Sequence, residues 1–168
     1  MAIEETREWM LVWNLYELPE IEDRVTNDDW NRISMIARKY YVMRTVDEKR
    51  NHTFLVTSGT DCLGCFLLIW TKEPDRPAFH AVHTLLSRQC RGAKAIEAGK
   101  LGIAKAFSLE DVERLESWCP ANNPESYLFA RLCGFKRVGF APVEWVKNMQ
   151  RYPIRVVALS REEWEQMP

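Results

Sequence analysis

With seven glycines and eight prolines among 168 residues, the chain has too little of either to be collagen-like, fibrous or disordered. Charge of one sign is lacking as well. Against 24 acidic side chains stand 23 basic ones, for a net charge of -1, so no uniform field gathers nucleic acid or anionic lipid. A nucleic-acid partner is therefore disfavoured. Long apolar runs are absent too: the most apolar stretch, Cys62 to Trp70, has nine residues, about half of the roughly 18 that cross a bilayer. The N-terminus, Met1-Ala2-Ile3-Glu4-Glu5, is acidic where a secretory signal is basic, and no apolar h-region follows. The chain reads as cytoplasmic, with no membrane partner. Its five cysteines are an odd number in a chain long enough to bury a core without staples, which favours reduced thiols over a disulfide framework. Cys62-Leu63-Gly64-Cys65 has zinc-ligand spacing, but no second such pair accompanies it, and residues three apart on a strand point to opposite faces. Small buried thiols are the simpler account, and no metal is expected.

What is present suffices for one core. Residues 1–168 form a single domain, since 46% of them are hydrophobic and no repeat, linker or low-complexity tract divides them. Trp9, Val12, Trp13 and Tyr16 make a helical stripe. Asn27 or Asp28 caps a second helix, whose apolar face is Trp30, Ile33, Ala37, Tyr40 and Tyr41. Three strand-like runs follow, His52 to Thr57, Cys62 to Trp70 and Ala78 to Leu86, with short connections that predict an antiparallel meander. From Gly92 to Phe107 the period is helical again, and Gly99 and Gly102 allow close approach to a sheet. Val112 to Cys119 reads as a strand. Asn123-Pro124, with Gly134 ten residues later, bounds a short helix. Strands at Phe135 to Ala141 and Ile154 to Leu159 precede a capping box, Ser160 with Glu163, that starts a last helix.

The strand-to-helix junction carries the chemistry. Ala78 to Leu86 runs through Ser87-Arg88-Gln89-Cys90-Arg91-Gly92 directly into a helix, and a helix N-terminus offers unpaired N–H groups and partial positive charge to an anion. Arg88, Arg91 and Lys94 add side-chain charge, so the loop is a candidate pyrophosphate cradle. Alone it is a weak signal. One strand downstream stand Asn122-Asn123-Pro124-Glu125-Ser126 and then Gly134-Phe135, and the combination is far more specific.

On these residues the sequence, from about Asp28 to Leu159, resembles the GNAT superfamily of acyl-coenzyme A dependent N-acyltransferases. The run from His83-Thr84-Leu85-Leu86 to Arg91-Gly92-Ala93-Lys94-Ala95 is most similar to a bacteriophage-encoded branch. The resemblance implies an α/β (α+β) fold, a mixed and mostly antiparallel sheet with flanking helices. Its central strands, β4 (Ala78 to Leu86) and β5 (Val112 to Cys119), would splay apart. It further implies acetyl-CoA as co-substrate and a primary amine of a small molecule or protein as acceptor, with a homodimer as one option for assembly. The cofactor's arm would pair with the main chain at Leu85 and Leu86 in the manner of an added strand. Its pyrophosphate would lie on the N–H groups of Gly92, Ala93, Lys94 and Ala95 beside Arg88 and Arg91, and Asn123 would hold the arm from the far side. His83 or Glu116 would take the amine proton; histidine titrates near neutrality, which suits the task. His80 lies on the opposite strand face and is the poorer choice.

Two departures are visible. Lys94 and Ile96 occupy positions where the family loop carries small residues. Ala130 stands where many members carry the tyrosine that protonates the leaving thiolate, leaving Tyr127, one turn earlier, as the remaining acid on that helix. The alternative implied is a catalytically weak or inactive binding or structural protein on the same fold.

Overall fold

A computed structural model describes residues 1–167, apart from the side chains of Glu22, Asp23 and Val25. The N-terminal third is helical after a short strand: β1 (Ala2–Glu5), α1 (Trp9–Tyr16), α2 (Pro19–Val25), α3 (Asp28–Arg32) and α4 (Met35–Asp47). The expected second helix is thus two. Asn27 Oδ1 accepts from the Trp30 N–H at 2.8 Å and starts α3. Ile33 then turns extended, and Ser34 Oγ accepts from the Ala37 N–H at 3.3 Å to start α4. A serine inside an apparently continuous stripe acts here as a new cap. Neither β1, with its charged residues, nor the acidic α2 was expected from apolar periodicity.

The meander is β2 (His52–Ser58), β3 (Asp61–Thr71) and β4 (Phe79–Leu86); α5 (Ala93–Phe107), β5 (Arg114–Pro120) and α6 (Pro124–Leu132) follow. β6 (Lys136–Lys147) and β7 (Gln150–Ser160) form a hairpin closed by α7 (Arg161–Glu165). That hairpin is longer than expected, because β6 slips register between Phe140 and Glu144 around Pro142 and then continues. Together the strands make one seven-stranded sheet in the order β1-β2-β3-β4-β5-β7-β6. Every pairing is antiparallel except β4 with β5.

Each sheet face is covered by helices. Against one face, Phe54, Phe66, Leu68, Ile103, Phe107 and Leu115 form a buried cluster with α5 and α6; against the other, Val12, Trp13, Val42 and Val46 of the N-terminal helices meet Cys65, Leu67 and Leu85. Each of the larger side chains contributes about 1.5–3 kcal/mol on burial. A register shift between Val56 and Thr57 marks a bulge in β3. It carries Leu63 to the same face as Phe66 and Leu68, against strict alternation. At the far end of α5, the Arg161 guanidinium donates to the carbonyl of Phe107 and, at 2.7 Å each, to those of Leu109 and Val112, satisfying groups that the helix end leaves open. Among the described residues no helix is long and apolar enough to cross a membrane.

Candidate active site

β4 and β5 are joined only at their beginnings. His80 stands opposite Leu115 and Ala81 opposite Glu116, and there the ladder stops, although β4 runs on to Leu86 and β5 to Pro120. One side-chain bond, Ser117 Oγ to the Val82 carbonyl at 3.3 Å, bridges the next step. Beyond it a cleft of about 1040 Å³ opens between the strands, lined by Val82, His83 and Thr84 on one side and Ser117, Trp118 and Asn123 on the other. Its remaining walls are largely apolar, which is the ordinary character of a ligand site.

The slot exposes backbone that a missing strand would otherwise cover. The Val82 carbonyl faces it, whereas the Leu85 carbonyl is turned toward β3, so close to Gly64 that a Cβ there would lie 2.2 Å from the oxygen. Polar groups of alternate residues face the same way along a strand, so Thr84 and Leu86 present main chain to the slot. Leu85, expected to share that role with Leu86, lines the cleft but turns its carbonyl toward β3 and its side chain into the core; Leu86 is not among the cleft's lining residues.

One loop beyond the end of β4, Gly92 caps α5 with φ 59° and ψ -134°, and a Cβ on it would meet nothing within 4 Å. The space above the helix N-terminus is open. The Ala95 and Ile96 N–H groups bond back to the Gly92 carbonyl at 3.1 and 3.2 Å, while those of Gly92, Ala93 and Lys94 have no protein partner among the described residues. Ala95, counted among the phosphate donors from the sequence, is therefore buried and already bonded, and the cradle is one residue shorter. Arg88, Arg91 and Lys94 are exposed around it. Partial burial and the nearby Arg24 lower the Arg91 pKa, as expected of a cation lacking a full counter-charge. Glu20 of α2 reaches the Arg88 N–H at 3.5 Å. Its carboxyl is held below the usual range first by its own backbone N–H, then by that of Arg88 and the guanidiniums of Arg88 and Arg91. Cys90, inside the loop, is wholly buried, and burial pushes its thiol up.

The residues expected to move protons lie in different surroundings. His83 projects into the cleft toward the N-terminal helices. Its ring is reachable by solvent yet enclosed by protein, and this enclosure lowers its pKa below the ordinary histidine value. It has no hydrogen-bond partner among the described residues. Glu116, on the same side of the sheet, is fully buried; its Oε1 accepts from Arg76 at 2.5 Å and from Arg114 at 2.8 Å, while Oε2 has no partner among the described residues. Of the two expected bases, Glu116 is thus held by two arginines, whereas His83 is free. Tyr127 does not line the cleft; its ring lies under the Arg155 guanidinium, 5.2 Å away, against the core. Ala130 does line it, and is buried. Asn123 borders the slot, but its Oδ1 accepts from the Ser126 N–H at 3.2 Å as the α6 cap, leaving the amide NH₂ without a partner among the described residues. Sequence reasoning missed the wall made by Tyr16, Trp30 and Tyr41, whose rings stack at 5.8 Å and meet edge-on at 5.6 Å. Trp30, on the apolar face expected of the second helix, thus lines the cleft.

No protein-family model matches the sequence, and no curated protein matches it. Solved structures do. The spermidine N-acetyltransferase SpeG from Vibrio cholerae, in complex with CoA and spermine, superposes with a TM-score of 0.77 over 98% of both chains at 12% identity. An acetyltransferase of the GNAT family from Bacillus anthracis gives 0.66 over 95% of this chain and 94% of its own, at 13% identity. This chain has the GNAT fold. Within that fold, the parted β4 and β5, the glycine at the start of α5 and the Asn-capped α6 surround or adjoin a cleft that side chains do not fill.

Proposed function

We propose that the protein transfers an acetyl group from acetyl-CoA to a primary amine of a small molecule or protein. The observation that carries this reading is the ladder that ends at Ala81 and Glu116 and leaves an open cleft between β4 and β5, with the α5 N-terminus, free of any side-chain cap, one loop beyond the end of β4. The residues present fit the co-substrate. Gly92, Ala93 and Lys94 have free N–H groups for a pyrophosphate, with Arg88 and Arg91 beside them. The main chain of Thr84 and Leu86 suits an extended amide-bearing arm by strand addition, and the Asn123 amide borders the same slot. When bound, acetyl-CoA supplies an activated thioester carbonyl.

His83 accepts the proton of the attacking amine at a ring nitrogen; with its pKa lowered it is already neutral at pH 7. Tyr16, Trp30 and Tyr41 wall the acceptor side. Among the described residues the two carboxylates that line the cleft, Glu73 and Glu116, are both bonded to Arg76, so the wall suits an amine on an apolar or aromatic body better than a polycation. The Vibrio neighbour, whose structure contains spermine, supports an amine acceptor in general.

A second reading, a binding protein of GNAT fold without turnover, is favoured by one observation: Ala130 faces the cleft and Tyr127 does not, so no tyrosine of α6 stands ready for the leaving thiolate. Release of free thiol from acetyl-CoA across a panel of amines separates the two. Amine-dependent release supports the enzyme, whereas acetyl-CoA binding without release supports the binding protein.

A further inference from the structure

At the opposite end of β4 from the acyl slot, His52 of β2, His80 of β4 and Asp111 of the turn before β5 converge. One donor atom of each lies within 4.8 Å of the others. The two imidazole rings stand 5.7 Å apart and tilted by 45°, near the roughly 5 Å expected of rings sharing one ion through metal–nitrogen bonds of about 2.0–2.1 Å.

Each ring is also held from behind. His52 Nδ1 lies 3.0 Å from Glu5 Oε1, which as a carboxylate accepts its N–H, and this leaves Nε2 directed at Asp111 Oδ2, 3.1 Å away. His80 Nε2 lies 3.0 Å from the Arg50 carbonyl. A carbonyl only accepts, so Nε2 carries the hydrogen and the lone pair is on Nδ1, in a ring that is 1% exposed and whose burial lowers its pKa. A histidine whose far nitrogen donates to a carboxylate or a carbonyl is the usual supported form of a metal ligand. An imidazolium at His52 between Glu5 and Asp111 explains only part of this arrangement, because it leaves His80 Nδ1 without a partner among the described residues. An ion satisfies all three groups.

We propose that His52, His80 and Asp111 bind one divalent ion of zinc type, with Glu5 and the Arg50 carbonyl as outer supports and a fourth position open to water. Three ligands of mixed nitrogen and oxygen suit zinc or cobalt rather than calcium or magnesium. The ion would tie β2, β4 and the turn before β5 together beside the His80–Leu115 pair, where β4 and β5 are still joined. This inference does not depend on the acyl-transfer reading.

The test uses the full chain, reduced and stripped by a chelator, titrated with Zn²⁺ and Co²⁺. Expected are one ion per chain, a rise in melting temperature on saturation, and a Co²⁺ spectrum with d–d bands but no thiolate charge-transfer band. Asp111→Asn, on an exposed turn, and His52→Gln should each weaken binding more than tenfold, and Glu5→Gln about tenfold; Cys62→Ser should leave it unchanged. Absence of bound ion at millimolar metal would overturn the proposal. So would affinity unaffected by both Asp111→Asn and His52→Gln, or a thiolate band lost in Cys62→Ser.

Discussion

Ala81 faces Glu116 as the last pair of the β4–β5 ladder, and the buried Glu116 carboxylate is gripped there by Arg76 and Arg114. The point where the strands part is thus also the point where a charge is fixed in the sheet. Glu116→Gln keeps the shape but weakens two charge-assisted bonds, and should cost about 1–3 kcal/mol in urea unfolding. The full penalty of a broken buried pair is not expected, because both arginines are partly exposed and can turn to water.

Gly92→Ala places a Cβ on a backbone at φ 59° and ψ -134°. The strain alone should lower stability by about 1–3 kcal/mol. The new methyl meets no protein atom, so any loss of acetyl-CoA affinity beyond that of a surface control reports a ligand in that space. Calorimetry should show a drop of at least tenfold.

Gly99→Ala and Gly102→Ala should destabilise, although alanine is the better helix former by about 1 kcal/mol. A Cβ at Gly99 would lie 2.4 Å from Cys133 Sγ, and one at Gly102 would lie 2.8 Å from the Phe66 ring. Overpacking of this kind costs about 1–3 kcal/mol, so the net sign in urea melts is loss.

Enclosure holds His83 and His80 below the ordinary histidine pKa of 6.5. The unfolded chain therefore takes up protons that the folded one refuses. Stability is full above that value and falls as pH drops toward the folded pKa values. Turnover should follow the same limb, rising with pH through a midpoint below 6.5. His83→Gln should abolish the limb and lower kcat by about 10²–10⁴. A profile unchanged in that variant would remove the histidine from the reaction.

With Glu73 and Glu116 both held by Arg76, and Tyr16, Trp30 and Tyr41 forming the wall, an arylalkyl monoamine should show a higher kcat/KM than spermidine. The reverse order would assign the acceptor side wrongly.

Much of this was legible in the chain itself, and the gaps have physical reasons. The meander, α5, the Asn123 cap and the Ser160–Glu163 capping box follow from period and cap chemistry, which act over a few residues. The split between α3 and α4 hid in Ser34, which is equally at home inside a polar face. β1 has too few apolar residues to announce a strand; it is held by pairing with β2. In the site, Gly92, Lys94 and Asn123 were marked by their places in local motifs. The Arg76–Glu116 pair spans forty residues, and the grouping of His52, His80 and Asp111 arises only when β2, β4 and the α5–β5 turn come together, so neither leaves a spacing to read. Which main-chain groups face the slot depends on the phase of β4 against β3, and only the register decides that.

The most direct measurement is the melting temperature of the reduced chain with and without acetyl-CoA. At a hundredfold excess over the dissociation constant, a slot that holds the co-substrate should add about 2.7 kcal/mol of stability, a rise of several degrees for a domain of this size, and Gly92→Ala should shrink it. A melting curve that does not move at millimolar acetyl-CoA would contradict the account.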